Sequence, residues 1–302
     1  MSREKKIKLL IPLVIVLFFG AYGWHRHDGR QSGVTGRLQR RDMDEISGIA
    51  ASGINHDIYY VHNDSGDTSR FFAMLPSGKV KSIIYFNGDP TVKLGVVDCE
   101  DIAVGPGPAK GKSYVYMGDI GDNDAARKYI TVYRMPEKAA WADESLSNAN
   151  AAPIHFTYPD GPKDAETLMI DPVGRLIYIV SKRQDSVTVY TSPLDFKPNE
   201  TRVLTRRCKL FFPGYKLFKW ITAGDISKDG KQVLIKSYTK VYYWERDGDE
   251  PIWQTLQKPP RVLPYTQEKQ GEAIGFTPDG KGYYTTSEGV YSPIYYYRIP
   301  GT

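Results

Sequence analysis

The apolar and polar positions of this 302-residue chain fall into a five-fold pattern. An acidic or polar residue is followed by a small apolar core, a turn, and then a strand rich in Tyr. The copies read Glu45-Ile-Ser-Gly-Ile-Ala, Asp98-Cys-Glu-Asp-Ile-Ala, Asp164-Ala-Glu-Thr-Leu-Met, Ala223-Gly-Asp-Ile-Ser and Gln270-Gly-Glu-Ala-Ile-Gly. Their starts lie about 45–65 residues apart, the interval of propeller blades and similar repeat arrays.

Turns follow at Gly105-Pro-Gly107, Asp171-Pro-Val-Gly174, Lys228-Asp-Gly230 and Pro278-Asp-Gly280, with Ser52-Gly53 in the first copy. Such pairs punctuate hairpins. The pattern predicts second strands at Ile58-Tyr-Tyr-Val, Tyr114-Val-Tyr-Met, Leu176-Ile-Tyr-Ile-Val, Gln232-Val-Leu-Ile and Gly282-Tyr-Tyr-Thr-Thr. Third strands follow at Arg70-Phe-Phe-Ala-Met, Ile130-Thr-Val-Tyr-Arg, Val187-Thr-Val-Tyr, Val241-Tyr-Tyr-Trp and Ile294-Tyr-Tyr-Tyr. Runs of β-branched and aromatic residues are strand material. Fourth strands are expected at Val80–Tyr85, Ile154–Tyr158, Arg202–Thr205 and either Trp253–Leu256 or Arg261–Leu263.

The fifth unit shows no fourth strand, and Gly33–Arg40 stands ahead of the first unit without a first strand of its own. The two defects cancel if the N-terminal segment completes the last unit, which closes the ring and hides the open edges. The expected fold is therefore all-β: a β-propeller of five four-stranded blades. Six blades is the alternative if the long second interval hides another.

Charge separates tail from domain. The chain carries 40 Lys/Arg and 35 Asp/Glu, of which residues 1–41 hold nine and two. The remainder is slightly acidic, so no basic stripe is left for nucleic acid. The tail opens with Arg3, Lys5, Lys6 and Lys8, then runs apolar from Leu9 to Trp24. That is a basic n-region and an h-region. The run spans about 24 Å, short of a bilayer core of about 30 Å, and Lys8 stands where it can snorkel. Residues 1–24 are read as a signal anchor that makes a single-pass membrane protein, because no Ala-x-Ala site is present. A signal peptide cleaved near Gly23, releasing a secreted protein, is the alternative. Both export the propeller (34–302) behind a basic spacer (25–33). Cys99 and Cys208 fall on an inner and an outer strand, too far apart to bridge.

Aligned on their apolar cores, the units place Glu100, Glu166 and Glu272 in one register, with Ser47 and Gly224 in the other two. Two residues earlier stand Glu45, Asp98, Asp164, Thr222 and Gln270. Residues i and i+2 share a strand face, and the first strands of a propeller line its channel. Glu45, Asp98, Glu100, Asp164, Glu166 and Glu272 are therefore expected at one mouth. Two like charges about 4 Å apart repel by about 4 kcal/mol at an effective dielectric near 20. Cations or protons must compensate. A ring of hard oxygens suits Ca²⁺ ahead of Mg²⁺ or Mn²⁺. Two other readings are that the acids accept backbone amides of neighbouring blades, pinning the ring, or that they act directly in catalysis.

The loops after the second strands share that edge. They carry His62-Asn63-Asp64, Gly118-Asp119 to Asn123, Ser181-Lys182-Arg183, Lys236-Ser237-Tyr238 and Ser287-Glu288-Gly289. Asp64, Asp119 and Glu288 are candidate catalytic carboxylates. His62, Asn63 and Asn123 are candidate ligand contacts, and Lys182 and Arg183 would grip an anion. Ordinary turn chemistry is the plain alternative. Gly105 to Ser113 looks like a phosphate-binding loop, but Pro106 stands where a Gly is needed and a strand follows, so it reads as a hairpin turn. No zinc-protease or serine-elbow motif occurs.

The strings Glu45-Ile-Ser-Gly-Ile-Ala, Cys99-Glu-Asp-Ile-Ala and Gln270-Gly-Glu-Ala-Ile-Gly, with Pro278-Asp-Gly and Ser287-Glu-Gly, resemble bacterial exported propellers of the SdiA-regulated and phytase-like (esterase-like) groups. The likeness covers most of the domain at the level of blade motifs. It implies an extracytoplasmic propeller, often calcium-associated, with Glu100, Glu166, Glu272 and Glu45 as channel carboxylates. Gly224 and the count of five blades depart from the pattern and remove support for phytase-like hydrolysis. The first functional expectation is a tethered module that holds a divalent cation and an anionic or sugar-like ligand, or a protein partner. The second is a hydrolase, glycosidase or phosphoesterase, that uses the funnel carboxylates.

Overall fold

The computed structural model describes residues 32–143 and 145–301. The expected signal helix at 1–24 and most of the spacer lie outside the described residues. Among the described residues no helix is long and apolar enough to cross a membrane.

Five antiparallel blades form the ring. The first is β2 (Ile46–Ala51), β3 (Tyr59–Asn63), β4 (Arg70–Met74) and β5 (Val80–Phe86). The second is β6 (Cys99–Pro106), β7 (Ser113–Asp119), β8 (Ile130–Pro136) and β10 (Ala152–Thr157). The third is β11 (Ala165–Asp171), β12 (Leu176–Ser181), β13 (Ser186–Pro193) and β15 (Thr205–Phe211). The fourth is β16 (Ile221–Ile226), β17 (Gln232–Ser237), β18 (Val241–Glu245) and β19 (Arg261–Leu263). The last joins β20 (Gly271–Phe276), β21 (Gly282–Ser287) and β22 (Pro293–Arg298) to β1 (Ser32–Arg37). β1 pairs antiparallel with β22, from Ser32 opposite Tyr297 to Arg37 opposite Pro293, so the N-terminal strand closes the ring as expected.

Two details differ from the sequence reading. The five expected blades stand and the long second interval holds no sixth, but it does hold elements that the repeat did not predict. Its extra residues form a 3₁₀ turn, Ala139–Ala142, and β9 (Ser145–Ala149), which adds parallel to β5 of the first blade. Trp141 of that turn is buried edge-on against Tyr60 and Phe71. Residues around Arg202 are likewise not the outer strand of the third blade. β14 (Glu200–Val203) reaches back to pair parallel with β10 of the second, and β15 takes the outer place. Of the two choices in the fourth blade, Arg261–Leu263 is the strand, while Ile252–Thr255 is a helical turn.

The core is five apolar layers, one in each gap between blades. Strand alternation divides each blade between two gaps. In β7, Tyr114 and Tyr116 face the third blade, while Val115 and Met117 face the first. Both faces are covered, which is why the strands read as continuous apolar runs. Polar pins cross the gaps as well. Ser47 Oγ donates to the Glu100 carbonyl (2.6 Å), Asp101 Oδ2 accepts the Leu168 amide (3.0 Å), and Asp225 Oδ2 accepts the Phe276 amide (2.8 Å). Cys99 and Cys208 are free thiols.

Candidate functional site at the acid-lined mouth

Every innermost strand has one register shift, and it falls at the same place. The shifts lie between Ile46/Gly48, Cys99/Asp101, Ala165/Thr167, Ile221/Ala223 and Gly271/Ala273. The extra residues are Ser47, Glu100, Glu166, Thr222 and Glu272. A bulge re-aims a side chain, and here it does so once per blade around one axis. In the fourth blade the register residue is thus Thr222, not Gly224, and Trp220 stands two positions before it. Gly224 occupies the place that Ile102, Leu168 and Ile274 fill elsewhere, so aligning apolar cores slips by two residues there.

The bulges and the loops after the second strands converge seven carboxylates. One oxygen each from Asp64, Asp98 and Glu100 lie within 4.8 Å of one another, as do those of Asp64, Glu272 and Glu288, and of Glu100, Asp164 and Glu166. Asp64 and Glu100 each belong to two groups. Two cations enter the cluster: Lys182 Nζ donates to Glu166, and Arg183 Nε donates to Asp164. Tyr238 OH donates to Glu272 (2.7 Å), Gln270 Nε2 to Glu288 (2.7 Å) and Asn123 Nδ2 to Asp98 (3.3 Å). The Asp122 amide donates to Asp164 (2.9 Å).

Crowding and burial shift the protonation of the acids. Burial, then Asp98, pushes Asp64 up to about 7. Burial, then Glu272, pushes Glu288 up to about 8. Burial and Glu166 hold Glu100 well above the carboxylate range, and burial and Asp164 raise Asp98. Burial pulls Lys182 down, but Glu166, Glu272 and Glu100 outweigh it and keep the ammonium charged.

The other candidates sit at the edge of this cluster or behind it. Glu45 is exposed and contributes its backbone carbonyl to the Asp64 amide. Asp119 pairs across from Cys99, as Asn63 does from Ile46, one position short of the register of Asp64, Lys182 and Glu288. It accepts the Val97 and Asp98 amides (3.1 and 3.0 Å) and pairs with Arg127 (2.8 Å), so it positions Asp98 rather than facing the axis. His62 is fully buried with Nδ1 at 2.7 Å from the Asn63 carbonyl and Nε2 unpartnered, and burial lowers it to about 4. It is neutral, and its ring lies against Gly48 behind the acid groups. Asn63 donates to the Asp42 carbonyl and to Asp67, which shapes its loop. Lys182 is committed to Glu166 and buried, which leaves Arg183, over the ring of Trp220 at 5.0 Å, as the partly exposed cation.

Three participants escaped the sequence reading. Tyr238 shares the register of Asp64, Lys182 and Glu288, a signal visible once second strands are aligned. Trp220 is hidden by the slipped alignment. Gly121 packs against the Glu100 and Asp98 carboxylates, which a Cβ there would push aside. Gly121→Ala is expected to cost about 1–3 kcal/mol through overpacking, read as a lowered urea midpoint.

Fold and site together define a five-bladed β-propeller with a carboxylate-lined axial mouth. No protein family and no curated protein matches the chain. Among solved structures, the chain is similar to a candidate 6-phosphogluconolactonase from Bacteroides uniformis, at 12% identity and a TM-score of 0.39. That match covers 81% of this chain and 65% of the other, so the chain spans about two thirds of its length. A luciferin-regenerating enzyme is similar at 12% identity and a TM-score of 0.42, over 88% of this chain and 91% of the other.

Proposed function

We propose that this protein is an exported, membrane-tethered propeller that holds a divalent cation in its acid mouth and binds an anionic or sugar-like ligand there. The observation that carries the reading is the interlocked set of carboxylate groups, each with its oxygens within 4.8 Å. The donors suit Ca²⁺, since all are hard oxygens. Glu166 Oε2 is buried without a partner, and the Glu100 carboxylate receives no hydrogen bond among the described residues. Both are acceptors that a cation would satisfy. A bound cation would neutralise the cluster and offer coordination positions to ligand oxygens. Arg183, held at Nε by Asp164 and at Nη2 by Asn123, lies over Trp220 and adds a partly exposed cation for a carboxylate or phosphate beside them. The basic, apolar segment 1–24 supports the tether and export.

A hydrolase reading draws on one observation. Asp64 and Glu288 retain protons near neutral pH, the state a general acid needs. Their oxygens approach within 4.8 Å, closer than the roughly 6.5–9.5 Å of an inverting glycosidase pair.

Calorimetric titration of the detergent-purified chain with CaCl₂ tests the proposal. Saturable binding is expected, and it should vanish in the Glu100→Gln, Glu166→Gln double variant. A heat trace indistinguishable from buffer would remove the metal. Turnover of a sugar or phosphoester panel, abolished by Glu288→Gln, would favour the hydrolase.

A further inference from the structure

The channel has a second mouth. Each inner strand starts at the acids and ends about 20 Å away, at roughly 3.3 Å per residue. There the ring opens into a cavity of about 340 Å³. Ile54, Val104, Ile170, Ile226 and Phe276 supply its apolar walls. The hairpin from Gly105 to Ser113, which the sequence presents as a plain turn, forms one side. The volume lies at the small end of ligand sites, which run roughly 300–1,000 Å³.

Among the lining residues Asp225 is the single acid. Counting three positions on from each bulge, the other blades place Ala50, Ala103, Met169 and Gly275 in that layer. A carboxylate there carries a desolvation cost that its neighbours avoid. Its Oδ2 accepts the Phe276 amide at 2.8 Å, a task an Asn or Ser would perform without charge. Among the described residues no cationic side chain pairs with it. Lys228 turns instead to the Gly53 carbonyl (2.9 Å), and Lys112 is exposed at the lip, where salt screens it.

We infer that this far cavity binds a compact, mainly apolar molecule with one cationic nitrogen, which docks on the Asp225 carboxylate. The site is separate from the acid mouth and does not depend on the metal reading. Apolar walls and one aimed charge are the usual make-up of a small-molecule pocket.

The test uses three probes of matched shape: benzylamine, benzyl alcohol and benzoate. Each is titrated by ligand-observed NMR into the detergent-purified chain in excess Ca²⁺. Benzylamine is expected to bind at least ten-fold more tightly than benzoate. Asp225→Asn keeps the acceptor for Phe276, so its melting temperature serves as a folding control. It should weaken benzylamine about ten-fold, the scale of a charge-assisted hydrogen bond, and leave benzyl alcohol unchanged. Ile54→Trp, at an exposed lip position, should weaken both probes. Equal affinity for all three probes, or an unaltered benzylamine affinity in Asp225→Asn, overturns the inference. So does benzylamine binding that disappears as Ca²⁺ is raised, because that places the amine among the acids of the other mouth.

Discussion

At pH 8, stripping divalent cations from the protein is expected to lower its melting temperature by about 5–10 °C. A ligand at a hundred times its Kd stabilises by about 2.7 kcal/mol, and a domain of this size shifts by about 2–4 °C per kcal/mol. The effect depends on pH with a definite sign. Asp64 and Glu288 rise from the ordinary carboxylate range to about 7 and about 8 in the fold. A raised carboxyl binds its proton more tightly when folded, so the native state carries more protons than the unfolded one between pH about 4 and 8. Stability must then fall as pH rises through that window. Cation-free protein should melt progressively lower from pH 5 to 8. Added Ca²⁺ should restore the loss at pH 8 and do little at pH 5, where protons occupy the acids. The Glu100→Gln, Glu166→Gln double variant should show a flatter pH profile and no calcium response. Calorimetric melting at the two pH values decides. A pH-independent midpoint in chelator, or no calcium effect at pH 8, would falsify the electrostatic account.

Arg246→Ala is expected to cost about 3–5 kcal/mol, the loss when one partner of a buried ion pair is removed. Arg246 and Asp171 are 1% and 0% exposed at their side chains. The guanidinium grips Asp171 with two bonds, at 2.8 and 3.1 Å. It also donates to the carbonyls of Glu250 (2.6 Å) and Gly230 (3.1 Å). Asp171 ends β11 and Arg246 follows β18, so the pair ties the third blade to the fourth. Truncation leaves the Asp171 charge buried and unpaired. Arg246→Lys should rescue little, because an ammonium cannot reproduce the planar fork. Asp171→Asn with Arg246→Met should recover much of the loss, since it removes both charges. Urea denaturation of the three variants beside the parent measures this. An Arg246→Ala midpoint close to the parent's would show that the pair contributes nothing net.

Both results bear on how much of the molecule is written locally. Blade count and ring closure are legible in the repeat, because turn residues and strand composition act over a few neighbouring positions. Glu100, Glu166 and Glu272 are legible too, because the bulge recurs at a fixed offset from each apolar core. Gly224 broke that offset in the fourth unit and hid both Thr222 and Trp220. The strands around Leu146 and Arg202 were illegible for another reason. They pair with a blade other than their own, and nothing near them in the chain names that partner.

The chemistry of the acids divides along the same line. The repeat determines that Asp98 and Glu100 stand together at the head of an inner strand, whatever surrounds them. It does not determine that Asp64 and Glu288, more than two hundred residues apart, come within reach of one cation. Nor does it separate Asp101 and Asp225, which take amides from the next blade, from Glu100, which takes none among the described residues. Those distinctions arise only when five blades close into a ring. Side-chain direction is a local property of the backbone, whereas the distance between carboxylates, and therefore their charge state, belongs to the closed circle.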